Sequence, residues 1–212
     1  MIISYQGLES FKISQGDTTI ALNPVSKLSS LKSKSFGSDI TLISTNHPDT
    51  NGADTTSRGE KDSFVISGPG EYEIKDVAVK GFLSETAYDG AKLNTVYLMN
   101  FDSINFCFLG ALSNPALGTA TLESLDDIDI LFVPIGGEGV LDPEAAYKLA
   151  VSLEPKVIIP MHYDPSTSPG QAALKRFLKE GGEDAPETLD KLVIKKKDLE
   201  GKEGDIIILK EE

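Results

Sequence analysis

The sequence predicts an α/β domain of the α+β type, with helices lying outside β-sheets, on three observations. Its first half alternates short apolar runs with turn residues, and its helical signals begin only near residue 119. Between the later helices stand two continuous apolar runs, residues 128–134 and 157–160, of the kind buried on both faces where helices cover a sheet.

The elements follow in order. Phe11-Lys12-Ile13, a Gln15-Gly16-Asp17 turn and Thr19-Ile20-Ala21-Leu22 stopped by Asn23-Pro24 read as a hairpin. Further strands are expected at 40–44, 63–67, 77–82, 94–100 and 104–110, with Gly68-Pro69-Gly70 forcing a tight turn between two of them. Residues 119–125 suit a short helix. Asp142-Pro143-Glu144 places a capping acid and a first-turn proline before the apolar run Ala145 to Val151, which marks a better-defined one. A third helix, over 168–179, carries Ala173, Leu174, Phe177 and Leu178 and stops at Gly181-Gly182. A closing hairpin is expected from 192–197 and 205–210, turning through residues 200–204, with Lys195-Lys196-Lys197 as a solvated strand edge. Residues 51–62 form the loop expected to be mobile.

The 212 residues suit one domain, 1–212, and 40% hydrophobic against 25% charged residues supply a packed core. A formal charge of −13 repels phosphate, which argues against a nucleic-acid partner. No stretch approaches the roughly 20 apolar residues of a membrane span, and residues 1–7 lack a signal-peptide pattern, so a cytoplasmic location away from membranes is expected. The single cysteine, Cys107, allows no intrachain disulfide and no cysteine-cluster zinc site; between Phe106 and Phe108 it reads as a buried strand thiol.

The two histidines carry the functional signal. His47 lies in Thr45-Asn46-His47-Pro48-Asp49-Thr50 and His162 in Pro160-Met161-His162-Tyr163-Asp164, each after a β-branched run, so each imidazole emerges at a strand end where a sheet can aim it.

In order along the chain come Gly7 and Phe11, Asn23-Pro24, the segment 45–50, Gly68-Pro69-Gly70-Glu71-Tyr72-Glu73, Asn94-Thr95-Val96-Tyr97, Leu109-Gly110, Pro134-Ile135-Gly136-Gly137 and Pro160-Met161-His162-Tyr163. With these the chain resembles the metallo-β-lactamase superfamily, in its small bacterial metal-dependent hydrolases similar to ascorbate-6-phosphate lactonase-like proteins. The resemblance implies a four-layer αββα sandwich, two mixed β-sheets face to face and flanked by helices, with a metal site at one edge. Zinc in such a site takes imidazole and carboxylate ligands and lowers the pKa of a bound water to about 7.

The family motif H-x-H-x-D-H, set on this chain, puts Thr45 and Thr50 where histidines are expected and leaves His47 and Asp49 in place. No histidine stands within residues 84–89, Ala111 follows Leu109-Gly110 where an aspartate is expected, and Leu8 and Asn23 replace a further histidine and aspartate. His162 keeps its position. The resemblance thus implies His47, Asp49 and His162 as metal ligands, with Asp49 also orienting the attacking water. Three ligands are too few for two ions, each of which needs roughly three. The expectation is a degenerate dinuclear site that holds one divalent ion, zinc, manganese or iron, or none, and at most weakly hydrolyses an ester, lactone or phosphoester. The alternative is a non-catalytic binding or scaffold protein, a pseudoenzyme in which these residues are structural. Either version leaves a small-molecule substrate or a protein partner, and room for a homo-oligomer.

Overall fold

A computed structural model describes residues 1–57, 59, 62–183 and 185–212. The chain opens with β1 (Ile2–Gly7), β2 (Ser10–Gln15), β3 (Thr18–Leu22), β4 (Ile40–Leu42), β5 (Phe64–Ile66), β6 (Gly70–Ile74), β7 (Val77–Glu85), β8 (Leu93–Phe101) and β9 (Ile104–Phe108). It continues with α1 (Thr119–Ser124), β10 (Ile130–Pro134), α2 (Pro143–Ser152), β11 (Val157–Met161) and α3 (Ser168–Glu180), and ends with β12 (Glu187–Leu189), β13 (Leu192–Val193) and β14 (Asp205–Leu209). Of the loop expected at 51–62, residues 58, 60 and 61 lie outside the described residues.

Two mixed sheets result, a six-stranded one in the order β13-β1-β2-β3-β4-β5 and an eight-stranded one in the order β12-β14-β11-β10-β9-β8-β7-β6. Strand alternation explains how they pack. On β10, Ile130 and Phe132 join the core between the sheets while Leu131 and Val133 face the helices; on β11, Val157, Ile159 and Met161 point inward and Ile158 outward. Both runs are therefore apolar at every position. Phe132 lies at the centre of the inter-sheet core, its ring 4.6 Å from Phe11, 6.0 Å from Phe108 and 6.4 Å from Phe106, in tilted and offset arrangements that aromatic quadrupoles favour.

The helices begin where their caps dictate. Asp142 Oδ1 accepts from the backbone N–H groups of Glu144 (3.0 Å) and Ala145 (3.1 Å), and Thr167 Oγ1 accepts from Gly170 (3.2 Å). Tyr147 meets Phe177 edge-on at 5.7 Å, locking α2 to α3 over the outer face of the eight-stranded sheet. On the outer face of the six-stranded sheet, Thr41 of β4 bonds to Ser38, Thr56 and Ser63, so irregular chain covers that side. Among the described residues no helix is long and apolar enough to cross a membrane.

The closing hairpin is a correction. β13 pairs antiparallel with β1, whereas β14 enters the other sheet, parallel to both β11 and β12. The reason is burial on both faces: Ile207 and Leu209 fill the inter-sheet core, and Ile206 and Ile208 pack under the helices. A two-strand edge hairpin would leave one of those faces in water. The lysine run is likewise no strand edge, because Lys196 opens a 3₁₀ turn, Lys196–Leu199, and its Nζ reaches the buried Asp129 at 2.6 Å.

Asp129 shows why. Its fully buried carboxylate also accepts from Lys156 Nζ (2.7 Å) and Asn105 N (2.8 Å). Burial raises its pKa, but the Asn105 hydrogen bond and the two lysines outweigh that and hold it below the ordinary carboxylate value. A group with a depressed folded-state pKa contributes stability that is complete above the unfolded value, about 3.9, and disappears as pH falls through the folded one. Asp129→Ala leaves two lysines without their buried partner and is expected to destabilise the fold by about 3 kcal/mol at pH 7. In urea denaturation the gap between wild type and variant should narrow steadily below about pH 4.

Candidate functional site

The site lies where the ends of β4 and β11 meet the turn after β1. Beyond β4 the chain folds back on itself: Thr50 Oγ1 donates to Thr45 O (2.8 Å), and the N–H groups of Thr50 and Asn51 donate to His47 O (2.9 and 2.7 Å). His47 Nδ1 accepts from the Asp49 N–H (3.2 Å), which leaves Nε2 to carry the proton and donate to Asp89 Oδ2 (2.9 Å). Asp49 is engaged at both oxygens, by the Ser29 hydroxyl at Oδ1 and by the Tyr88 hydroxyl at Oδ2 (2.6 Å).

Tyr88 joins the two histidines. It follows β7 on a short 3₁₀ turn, Tyr88–Gly90, and its ring stands edge-on to His47 (centroids 5.1 Å apart) and to His162 (4.8 Å, 89°). Burial, then the Asp49 hydrogen bond and the Asp49 charge, push the phenol well above its ordinary pKa, so Tyr88 stays a donor at neutral pH. His47, Asp49 and His162 therefore do gather in one region, with a tyrosine among them.

His162 is held from the other side. Its backbone N–H donates to Leu8 O (2.6 Å), and its Nδ1 contacts Glu9 Oε1 at 2.5 Å. Glu9 Oε2 accepts from Asn23 Nδ2 (2.6 Å), which also donates to Ser44 Oγ (2.8 Å), while Asn23 Oδ1 accepts from Ser44 N (2.8 Å). Glu9 and Asn23 are fully buried and His162 is 6% exposed. The backbone is bent to make this possible: Leu8 (φ 51°), Asn23 (φ 38°) and His162 (φ 57°) are all left-handed, a conformation that costs about 1–3 kcal/mol for a residue other than glycine. Two glycines make room. A Cβ on Gly136 would fall 2.2 Å from His162 O, and one on Gly110 would fall 2.3 Å from Ser44 Oγ.

Two of the positions where the resemblance implies ligands, Thr45 and Ala111, converge on an amide. Asn94 Oδ1 accepts from Thr45 Oγ1 (3.1 Å) and Ala111 N (3.0 Å), and its Nδ2 donates to Leu109 O (2.8 Å) and Ser84 Oγ (2.9 Å). The network is neutral and closed. Among the described residues no three His, Cys, Asp or Glu side chains are grouped so as to hold a metal ion. With both Asp49 oxygens bonded to hydroxyls and both His47 nitrogens bonded, His162 Nε2 alone is left open, and the donor set as arranged does not fit one.

Beside His162 opens a cavity of about 710 Å³, with Leu8, Lys32, Tyr88, Gly136, His162 and Asp164 in its wall. Asp89, Glu138 and Glu211 also line it, so its charge is mainly negative. From sequence, Asn94 stands out only within the motif Asn94-Thr95-Val96-Tyr97, and Glu9 and Tyr88 carry no assigned role. The signal for Glu9 was present, since it is a carboxylate directly after the Gly7-Leu8 turn in a run otherwise destined for the core. Tyr88 stands inside residues 84–89, where the resemblance implies a histidine.

The UPF0173 metal-dependent hydrolase of Listeria monocytogenes serotype 4a (strain HCC23) is 26% identical over 199 residues, covering 77% of this chain and 86% of the relative. Its counterpart in Carboxydothermus hydrogenoformans is 46% identical over 43 residues, 20% of this chain and 19% of that one. A metallo-beta-lactamase superfamily protein from Thermotoga maritima superposes with a TM-score of 0.77 at 28% identity, covering 98% of this chain and 97% of its own. Igni18, a metallo hydrolase from Ignicoccus hospitalis KIN4/I, shares the fold at a TM-score of 0.62 and 18% identity, covering 86% of this chain and 92% of its own. Residues 2–162, about three quarters of the chain, match the family described as Beta-lactamase superfamily domain, and the chain belongs to that family.

Proposed function

We propose that this chain is a metal-independent member of its family, a cytoplasmic protein whose cavity takes up a small molecule directly through its own side chains. One observation carries the reading: the Tyr88 ring stands between His47 and His162 with its hydroxyl on Asp49. For an ion to take these three ligands, Asp49 would have to give up a hydrogen bond to a charged acceptor worth about 1.5–3 kcal/mol. His47 would also have to give up one of the hydrogen bonds that occupy both of its ring nitrogens. The single buried thiol, Cys107, fits a reducing compartment. The mainly acidic cavity wall argues against phosphate-rich partners.

A second reading is favoured by the relatives, which are described as metal-dependent hydrolases. Here one zinc, manganese or iron ion would bind His47, Asp49 and His162 in a rearranged site.

Elemental analysis separates the two readings. Protein purified without chelator and then supplied with zinc, manganese or ferrous iron is expected to carry no stoichiometric ion and to keep its melting temperature, because a ligand that binds only the folded state would raise it. A one-to-one ion that is lost on His162→Ala would establish the second reading instead. The tyrosine can be tested separately: Tyr88→Phe removes the donor to Asp49 and is expected to cost about 2 kcal/mol in chemical denaturation, with the ring packing retained.

A further inference from the structure

Resting on the metal-independent reading, we propose that Glu9 and His162 form a carboxylate–imidazole pair that hydrolyses a carboxylic ester or lactone in the adjoining cavity, His162 Nε2 acting as the base toward water. The two ring nitrogens have different roles. Nδ1 is committed to Glu9, itself fixed at its second oxygen by Asn23, so with a carboxylate accepting the Nδ1 proton the lone pair is placed on Nε2. Among the described residues Nε2 has no hydrogen-bond partner, and His162 is part of the cavity wall. A nine-tenths buried imidazole oriented by a buried carboxylate, with its basic nitrogen left open beside a cavity, is the geometry of a general base.

The surroundings select the nucleophile and the substrate. Of the hydroxyls near this wall, Ser166 Oγ donates to Asp164 Oδ1 (2.6 Å), Thr167 Oγ1 to Asp164 O (3.0 Å) and Tyr88 to Asp49, while burial pushes the Tyr163 phenol up to about 12 and keeps it protonated. Cys107 is buried under the helices on the outer side of the eight-stranded sheet, where burial pushes its thiol pKa up. None of these groups bonds to His162 Nε2, and the nucleophile of the proposed step is water. Asp89, Glu138, Asp164 and Glu211 against Lys32 make the cavity hostile to a phosphoester but not to a neutral acyl group.

In the first step a water O–H bond breaks, its proton passes to Nε2, the new C–O bond forms at the acyl carbon, and the carbonyl pair moves onto oxygen. As that pair returns, the bond to the leaving oxygen breaks and Nε2 gives its proton to it. Ester and water become acid and alcohol, or a lactone becomes a hydroxy acid, with no other reagent. His162 is the catalytic residue and Glu9 the positioning residue. No oxyanion donor is invoked, so the acceleration expected is that of general-base catalysis alone, about 10²–10⁴-fold.

The test uses full-length protein in excess chelator with p-nitrophenyl butyrate and dihydrocoumarin as probes. Wild type should hydrolyse at least one of them about 10²–10⁴-fold above buffer, more slowly in deuterium oxide. His162→Gln should return kcat to background. Glu9→Gln should lower kcat about tenfold or more with KM unchanged, and Glu9→Asp should recover part of that loss. If either amide variant fails to fold, the Glu9→Gln/His162→Gln pair, whose two amides can hydrogen-bond each other, should fold and be inactive. Wild type inert toward both probes while metal-free, or a rate untouched by His162→Gln, would overturn this inference and leave the metal-independent reading standing. A rate that appears only when a divalent ion is added would overturn that reading itself.

Discussion

The buried Glu9 carboxylate is the interaction on which the geometry of the site depends. It lies at the turn after β1, in the six-stranded sheet, yet one oxygen bonds His162, at the end of β11 in the other sheet, and the second bonds Asn23 at the end of β3. A carboxylate buried without donors is too costly to tolerate. Glu9 therefore obliges two strand ends from different sheets to bend toward it. The left-handed backbone at Leu8, Asn23 and His162 is the visible result. Strain at three adjoining positions persists because the surrounding hydrogen bonds over-determine them.

The same logic governs the opposite half of the site. At positions where the family resemblance implies metal ligands, groups of this chain bond to one another. Thr45 and Ala111 meet on Asn94, and Asp49 meets a phenol and a serine hydroxyl. Each of these groups has a hydrogen-bond partner within the protein, as buried polar groups require. Asp129 solves a similar electrostatic problem differently, with two lysines, at the far end of the sheet where solvent is close.

Much of the fold was legible because period-2 and continuous apolar runs translate directly into strands with one or two buried faces. The runs at 130–134 and 157–161, the Asp142-Pro143 helix start and the Gly181-Gly182 stop all emerge where local chemistry puts them. What local patterns cannot specify is which sheet a strand joins. Residues 192–193 and 205–209 read as neighbours in a hairpin but part company, since only tertiary packing knows that both faces of β14 will be covered. In the site, the segment around His47 and His162 was legible from residue type and context. Glu9 shows in the sequence as a carboxylate within an apolar run, but its role and that of Tyr88 arise from partners 153 and 39 residues away.

The chain of contacts from Ser29 through Asp49 to Tyr88 has a mechanical consequence. Ser29 belongs to the stretch that leads directly to Leu31 and Lys32 on one wall of the cavity, and Tyr88 belongs to another wall. A single carboxylate is therefore the tie between two stretches of the wall that lie far apart in the sequence.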